Sequence, residues 1–113
     1  MPPHILVVSV DPALLETRRQ LLLGEGYRVV KAASWAEFES ACARHDFDLI
    51  VLGQSMQPSL KNDMYDFATR HCPTAKVAEL YLYAQSVPAK YSLDTRASGP
   101  EEFLGFVKRV LAD

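Results

Sequence analysis

The stretch Asp48-Leu49-Ile50-Val51-Leu52-Gly53 sets four consecutive apolar residues between an acid and a glycine. It is too short for a helix. An unbroken apolar run of this length fits a strand buried on both faces, as in the middle of a parallel sheet. A strand of that kind needs a layer of cover on each side, so the rest of the chain has to supply helices for two faces. The following loop, Gln54 to Leu60, carries Ser55, Pro58 and Ser59 before a helical pattern resumes. In an open α/β sheet, sites gather in the loops at the carboxyl ends of the strands. The residue at position 53 therefore weighs most on function.

The remaining segments fit that frame. His4 to Ser9 is a second buried-strand run, ending at Asp11-Pro12, an N-cap followed by proline in the first helical turn. Leu14, Leu15, Leu21 and Leu22 give the first helix its apolar face, with Glu16, Arg19 and Gln20 outward and Gly24 and Gly26 as the stop. Tyr27 to Ala33, with polar Arg28 and Lys31, reads as a strand nearer the sheet edge. Ser34-Trp35-Ala36-Glu37 is a capping box, opening a helix lined by Phe38, Ala41 and Cys42. Met64, Phe67, Ala68 and His71 mark a third helix, stopped by Cys72-Pro73.

A fourth strand follows over Val77 to Tyr83, where Glu79 requires one wet or paired face. Only seven residues separate Tyr83 from Tyr91, whereas a helical crossover needs roughly 10–12. The fifth strand, Tyr91 to Asp94, is thus an irregular edge element without a helix before it. Ser98 to Glu102 opens the last helix, with Phe103, Val107, Val110 and Leu111 as its core stripe. The expectation is a single domain over residues 1–113, a doubly wound, mostly parallel α/β sheet.

The formal charge of −2 gives no electrostatic case for nucleic acid or an anionic membrane. No apolar run approaches the length of a membrane span or a signal peptide, so the expected compartment is the cytoplasm. Cys42 and Cys72 lack metal-ligand spacing and are expected as reduced thiols.

The blocks Ile5-Leu6-Val7-Val8-Ser9-Val10-Asp11-Pro12, Asp48 through Pro58, and Pro100-Glu101-Glu102-Phe103-Leu104 together resemble the receiver domain of two-component response regulators. The resemblance covers nearly the whole chain and implies a flavodoxin-like fold with strand order 2-1-3-4-5. It also marks departures. Where family members carry the acidic pair that holds Mg²⁺, this chain has Ser9 and Val10. The phosphoacceptor aspartate falls on Gly53, which has no side chain. The switch Thr/Ser falls on Tyr81 or a neighbour, and the lysine of the family's Lys-Pro pair falls on Arg96. Metal ligands, acceptor and switch are lost together, which points to a different use of the domain.

Asp11 is expected first as an N-cap, and Ser9 and Ser55 as loop residues satisfying backbone groups. Gly53-Gln54-Ser55-Met56-Gln57 half-matches a nucleophile elbow. However, its second glycine is missing, and His4, His45 and His71 are expected at the opposite edge of the strands. Tyr83 and Tyr91, with Tyr81 beside them and Phe106 on the flank of the last helix, form either an aromatic interface or ordinary packing around the short loop.

The resulting expectation is a degenerate receiver-like domain: no enzyme, no cofactor, no metal. It acts in two-component-type signalling as a phosphorylation-independent protein-interaction module. Its partner is a protein, most simply a second copy docked through Tyr83, Tyr91 and Phe106. The alternative is a small-ligand binder using the vacated pocket around Asp11, Ser55, Tyr81 and Arg96.

Overall fold

The computed structural model describes residues 1–113, apart from the side chain of Ala97. The five strands are β1 (His4–Val8), β2 (Arg28–Ala32), β3 (Leu49–Leu52), β4 (Lys76–Tyr81) and β5 (Tyr91–Asp94). The helices are α1 (Pro12–Gly24), α2 (Trp35–Arg44), α3 (Pro58–His71) and α4 (Pro100–Ala112). All neighbouring strands pair in parallel, in the order β2-β1-β3-β4-β5. This is the flavodoxin-like arrangement, with β2 at one edge and β5 at the other.

Alternation along the strands sorts the core into two layers. Leu6, Val8, Ile50, Leu52 and Val77 pack with Phe38 and Ala41 of α2 and Met64 and Ala68 of α3. Ile5, Val7, Leu49, Val51, Ala78 and Leu80 pack with Leu15 and Leu22 of α1 and Phe103 and Val107 of α4. Local caps set the helix starts: Asp11 Oδ1 accepts from Ala13 N and Leu14 N, and Ser34 Oγ accepts from Glu37 N. Glu37 Oε1 in turn accepts from Ala33 N, one residue before the N-cap, rather than from the N-cap N–H of a standard capping box.

Two sequence expectations change here: β4 ends at Tyr81 rather than at Tyr83, and Phe106 leaves the surface. Phe106 is core, only 5% exposed. It lies three residues after Phe103 and four before Val110, so it shares their buried stripe, while Leu111 is half-buried at the margin. The β4–β5 loop is sealed by Val87 and Ala89, whereas Pro88 is exposed and offers its carbonyl to Tyr65 Oη at 3.2 Å.

That loop is tied down by charge. Glu79, in β4, has no exposed surface, and Lys61 of α3 is 3% exposed. Lys61 Nζ donates to Glu79 Oε2 and to Leu80 O, each at 2.8 Å. The same carboxylate accepts from Ser86 N at 2.9 Å and Ser86 Oγ at 2.7 Å, with Val87 N at 3.3 Å. Asn62 Nδ2 adds a bond to Ser86 O at 2.9 Å. The nine residues between Tyr81 and Tyr91 that replace a crossover helix are thus held against α3.

Burial alone would push the Glu79 carboxyl up, but the Lys61 ammonium and the Ser86 donors outweigh it and hold it below the usual glutamate range. With the folded pKa depressed, the unfolded chain takes up the proton first on acidification. The contribution of Glu79 to stability is therefore whole at neutral pH and is lost as the pH falls through its folded value. Glu79→Gln is expected to cost about 3–5 kcal/mol at neutral pH by stranding a buried ammonium. It should also flatten the acid limb of the stability profile. Denaturant midpoints measured against pH check both; wild-type and variant curves running parallel through the acid range would exclude the assignment.

Candidate functional site

The carboxyl edge of β1 and β3 brings Ser9, Gly53 and Ser55 together. Ser9 is fully buried, its Oγ 2.8 Å from Ser55 Oγ and accepting from Asp11 N at 3.1 Å. Gly53 N donates to Val8 O at 2.9 Å, which draws the two strand ends close. A Cβ at position 53 would come within 2.8 Å of Val8 O and 3.2 Å of Arg18 Nη1. Gly53 thus has a steric reason as well as a chemical consequence: the backbones leave no room for a side chain.

Arg18 is the residue sequence reasoning missed. Three residues after Leu15 and four before Leu22, it sits on the core face of α1 and is 8% exposed. The periodicity of that face was the signal that could have found it. Its Nη2 donates to Gln54 Oε1, its guanidinium carbon lies 6.0 Å from the centre of the Phe103 ring, and its Nη1 is buried without a hydrogen-bond partner. Burial pulls the Arg18 pKa down, opposed by the negative charge of Asp11. A fixed cation therefore stands against the position that the receiver resemblance gives to the phosphoacceptor.

The other sequence-predicted residues do not converge on this point. The Asp11 carboxylate is taken up capping α1, and Val10 is exposed. Tyr81 ends β4 half-buried, its carbonyl accepting from Thr95 Oγ1 at 2.9 Å. Arg96 is turned outward. It pairs with Asp94 at 2.6 Å and lies over the Tyr83 ring, 5.1 Å from its centre. Tyr83 is 73% exposed and holds a φ of +76°, which is sterically unfavourable for a bulky residue. Tyr91 is half-buried, with its hydroxyl on Asp113. His4 and His45 pack edge to face at 5.2 Å beside Phe47, at the opposite edge of the sheet, and His71 lies on Phe67. None of the three faces Ser55. Cys72 Sγ reaches Cys42 O at 4.0 Å, and burial, then Cys72, pushes the Cys42 thiol up to about 12.

Mg²⁺ needs several oxygen ligands, carboxylates foremost. Ser9, Val10, Gly53 and an adjacent guanidinium do not fit it. Among the described residues no group of three or more His, Cys, Asp or Glu side chains is placed to hold a metal, and no helix is long and apolar enough to cross a membrane. Open space lies beside the acceptor position, in a cavity of about 280 Å³ between α1 and α4. Leu14, Thr17, Arg18 and Leu21 of α1 line it with Gln54, Leu80, Leu93 and the start of α4.

Solved structures that superpose on this chain include response-regulator receivers. A response regulator from Thermotoga maritima superposes with a TM-score of 0.86 at 19% identity, each chain covered in full. The non-phosphorylated HemR receiver domain from Leptospira biflexa gives 0.83 at 24% identity, over 98% of this chain and 95% of that one. A CheY-like receiver domain protein from Methanospirillum hungatei JF-1 gives 0.78 at 22% identity, over 99% and 95%. No family model matches the sequence, and no curated protein does. The chain has the fold of a response-regulator receiver domain, with Gly53 and Arg18 at the centre of its carboxyl edge.

Two glycines separate close approach from mere flexibility. Gly53→Ala is expected to cost about 1–3 kcal/mol through overpacking against Val8 O. Gly24→Ala, with nothing within 4 Å of its added Cβ, should be neutral or stabilising by up to about 1 kcal/mol. Chemical denaturation of both variants tests this; equal midpoints would refute the steric account of Gly53.

Proposed function

We propose that this chain is a receiver-fold protein-interaction module in two-component-type signalling. It works without phosphoryl transfer and carries no catalysis of its own. The observation that carries the reading is the Arg18 guanidinium set against Gly53, with Nη1 3.2 Å from where a Cβ would stand. Acyl-phosphate chemistry needs a carboxylate nucleophile and a cation that can neutralise the transferring group. Here the nucleophile is absent, and a covalently attached cation occupies the neighbourhood a divalent metal would need. A guanidinium and a divalent cation side by side in a poorly solvated site repel strongly. The cation is permanent, so the state of this edge does not depend on a phosphoryl donor.

The interaction surface we assign is the corner where β4 runs out. Leu82 and Tyr83 are both exposed there, and Arg96 stacks on the tyrosine. Beside them β5 pairs with β4 on one side and forms the sheet edge on the other, leaving backbone donors and acceptors for a partner. An exposed aromatic on a strained backbone, with Arg96 over its ring, suits an interface anchor. The simplest occupant is a second copy related by a two-fold axis. Phe106 belongs to the core and takes no part.

Incubation with Mg²⁺ and acetyl phosphate, or with beryllofluoride, is expected to leave both the intact mass and the Trp35 fluorescence unchanged. A phosphoryl adduct or a saturable fluorescence change would overturn the reading. Gly53→Asp alone should remain unmodified as well, since Arg18 and the missing acidic pair still exclude the metal.

For the surface, sedimentation at high micromolar concentration should give a dimer for the wild type and a monomer for the Leu82→Ser, Tyr83→Ser double variant. A monomeric wild type, or a variant that still pairs, would remove this corner as a self-association surface.

A further inference from the structure

Arg18 is a buried cation with no carboxylate in ion-pair contact, Asp11 being engaged in capping α1 and acting on it only at longer range. Among the described residues no carboxylate pairs with it, and the neutral Gln54 accepts from Nη2 while Nη1 has no partner. An uncompensated buried charge with an unmade hydrogen bond is costly, and proteins rarely keep one without a use. The 280 Å³ cavity lined by this side chain is the second observation. Its floor is apolar, made by Leu80 of β4, Leu93 of β5 and Phe103 of α4, with Leu14 and Leu21 on the α1 side.

The third observation is the start of α4. Gly99 and Pro100 line the same cavity, and the N-cap Gly99 has no side chain to satisfy the first turn. A thirteen-residue helix therefore brings the positive end of its dipole to the space beside Arg18. Glu101 and Glu102 in that turn are exposed, where solvent and salt screen them.

We propose that this cavity binds a small amphipathic monocarboxylate. Its carboxylate would lie on Arg18, and its apolar body against Leu21, Leu80, Leu93 and Phe103. The planar guanidinium matches a carboxylate in a two-bond fork once Gln54 swings off Nη2, a displacement the ligand needs because protein covers Nη1 in the free chain. Apolar walls and a single cation select one negative charge with a hydrocarbon body over a small, highly hydrated multianion. A 150 Å³ cavity holds benzene, so this one takes roughly a dozen non-hydrogen atoms. The site stands apart from the interaction surface at Leu82 and Tyr83 and does not depend on that reading. It lies beside the vacated acceptor position, with Asp11, Tyr81 and Arg96 engaged elsewhere.

Titration calorimetry on the intact chain tests the proposal with 3-phenylpropionate, its uncharged amide 3-phenylpropanamide, and inorganic phosphate. The carboxylate is expected to bind saturably in the millimolar range or tighter, about 10-fold or more above the amide, because only it pairs ion to ion with Arg18 through two equivalent oxygens. Phosphate should neither bind nor compete. Arg18→Met should remove the preference for carboxylate over amide while retaining amide binding. Should that variant fail to fold, Gln54→Ala serves in its place. By freeing Nη2 it should tighten carboxylate binding several-fold and amide binding by less, widening the preference between them. Absence of saturable carboxylate binding to the wild type, equal affinity for carboxylate and amide, or weaker carboxylate binding to Gln54→Ala would each overturn the assignment.

Discussion

Glu79 lies in β4 with no surface open to water, and its charge obliges its neighbours to take particular forms. Lys61 must come from α3 to neutralise it, and Ser86 and Val87 must bring their N–H groups to it. Those two demands dock the loop that stands in place of a crossover helix and cover the sheet face between α3 and β5. A buried ion pair is not strongly stabilising in itself, because desolvation cancels much of the Coulomb attraction. What it does supply is specificity: only one placement of the loop satisfies all the partners of the carboxylate. The apolar plug of Val87 and Ala89 follows from that placement.

On the other face of the sheet a second buried charge, Arg18, is left incompletely paired. The contrast between the two sites is informative. Lys61 finds a carboxylate and a carbonyl, whereas Arg18 finds one amide oxygen, an aromatic ring and a cavity. The first arrangement is closed and structural. The second leaves a buried donor unmatched on a side chain that lines open space, at the strand edge where α/β folds place their ligands.

The residues that stand where the receiver resemblance expects phosphotransfer groups fit one another in geometry. Gly53 leaves room for the close approach of Val8 O and Arg18. Ser9, where the resemblance expects an acid, bonds to Ser55 and holds the two loops together. Each substitution fits the others, so restoring one acid would meet both a steric and an electrostatic obstacle.

Much of the architecture was legible from short-range pattern. The apolar runs at Ile5–Val8 and Leu49–Leu52 reveal central strands because burial on both faces removes alternation. Asp11-Pro12 and Ser34 through Glu37 reveal helix starts because capping partners lie within four residues. The seven residues between Tyr83 and Tyr91 exclude a helix by length alone. The sequence determined these things, since their causes are local. Tertiary structure decided the rest: that Arg18 turns inward to Gln54, thirty-six positions away, that Lys61 answers Glu79 eighteen positions on, and that Phe106 is core while Tyr83 is surface. A charged residue on an apolar helix face, or an aromatic at a stripe's margin, has a local pattern compatible with either side. Only the packing of elements distant in sequence assigns a partner to the charge and cover to the ring.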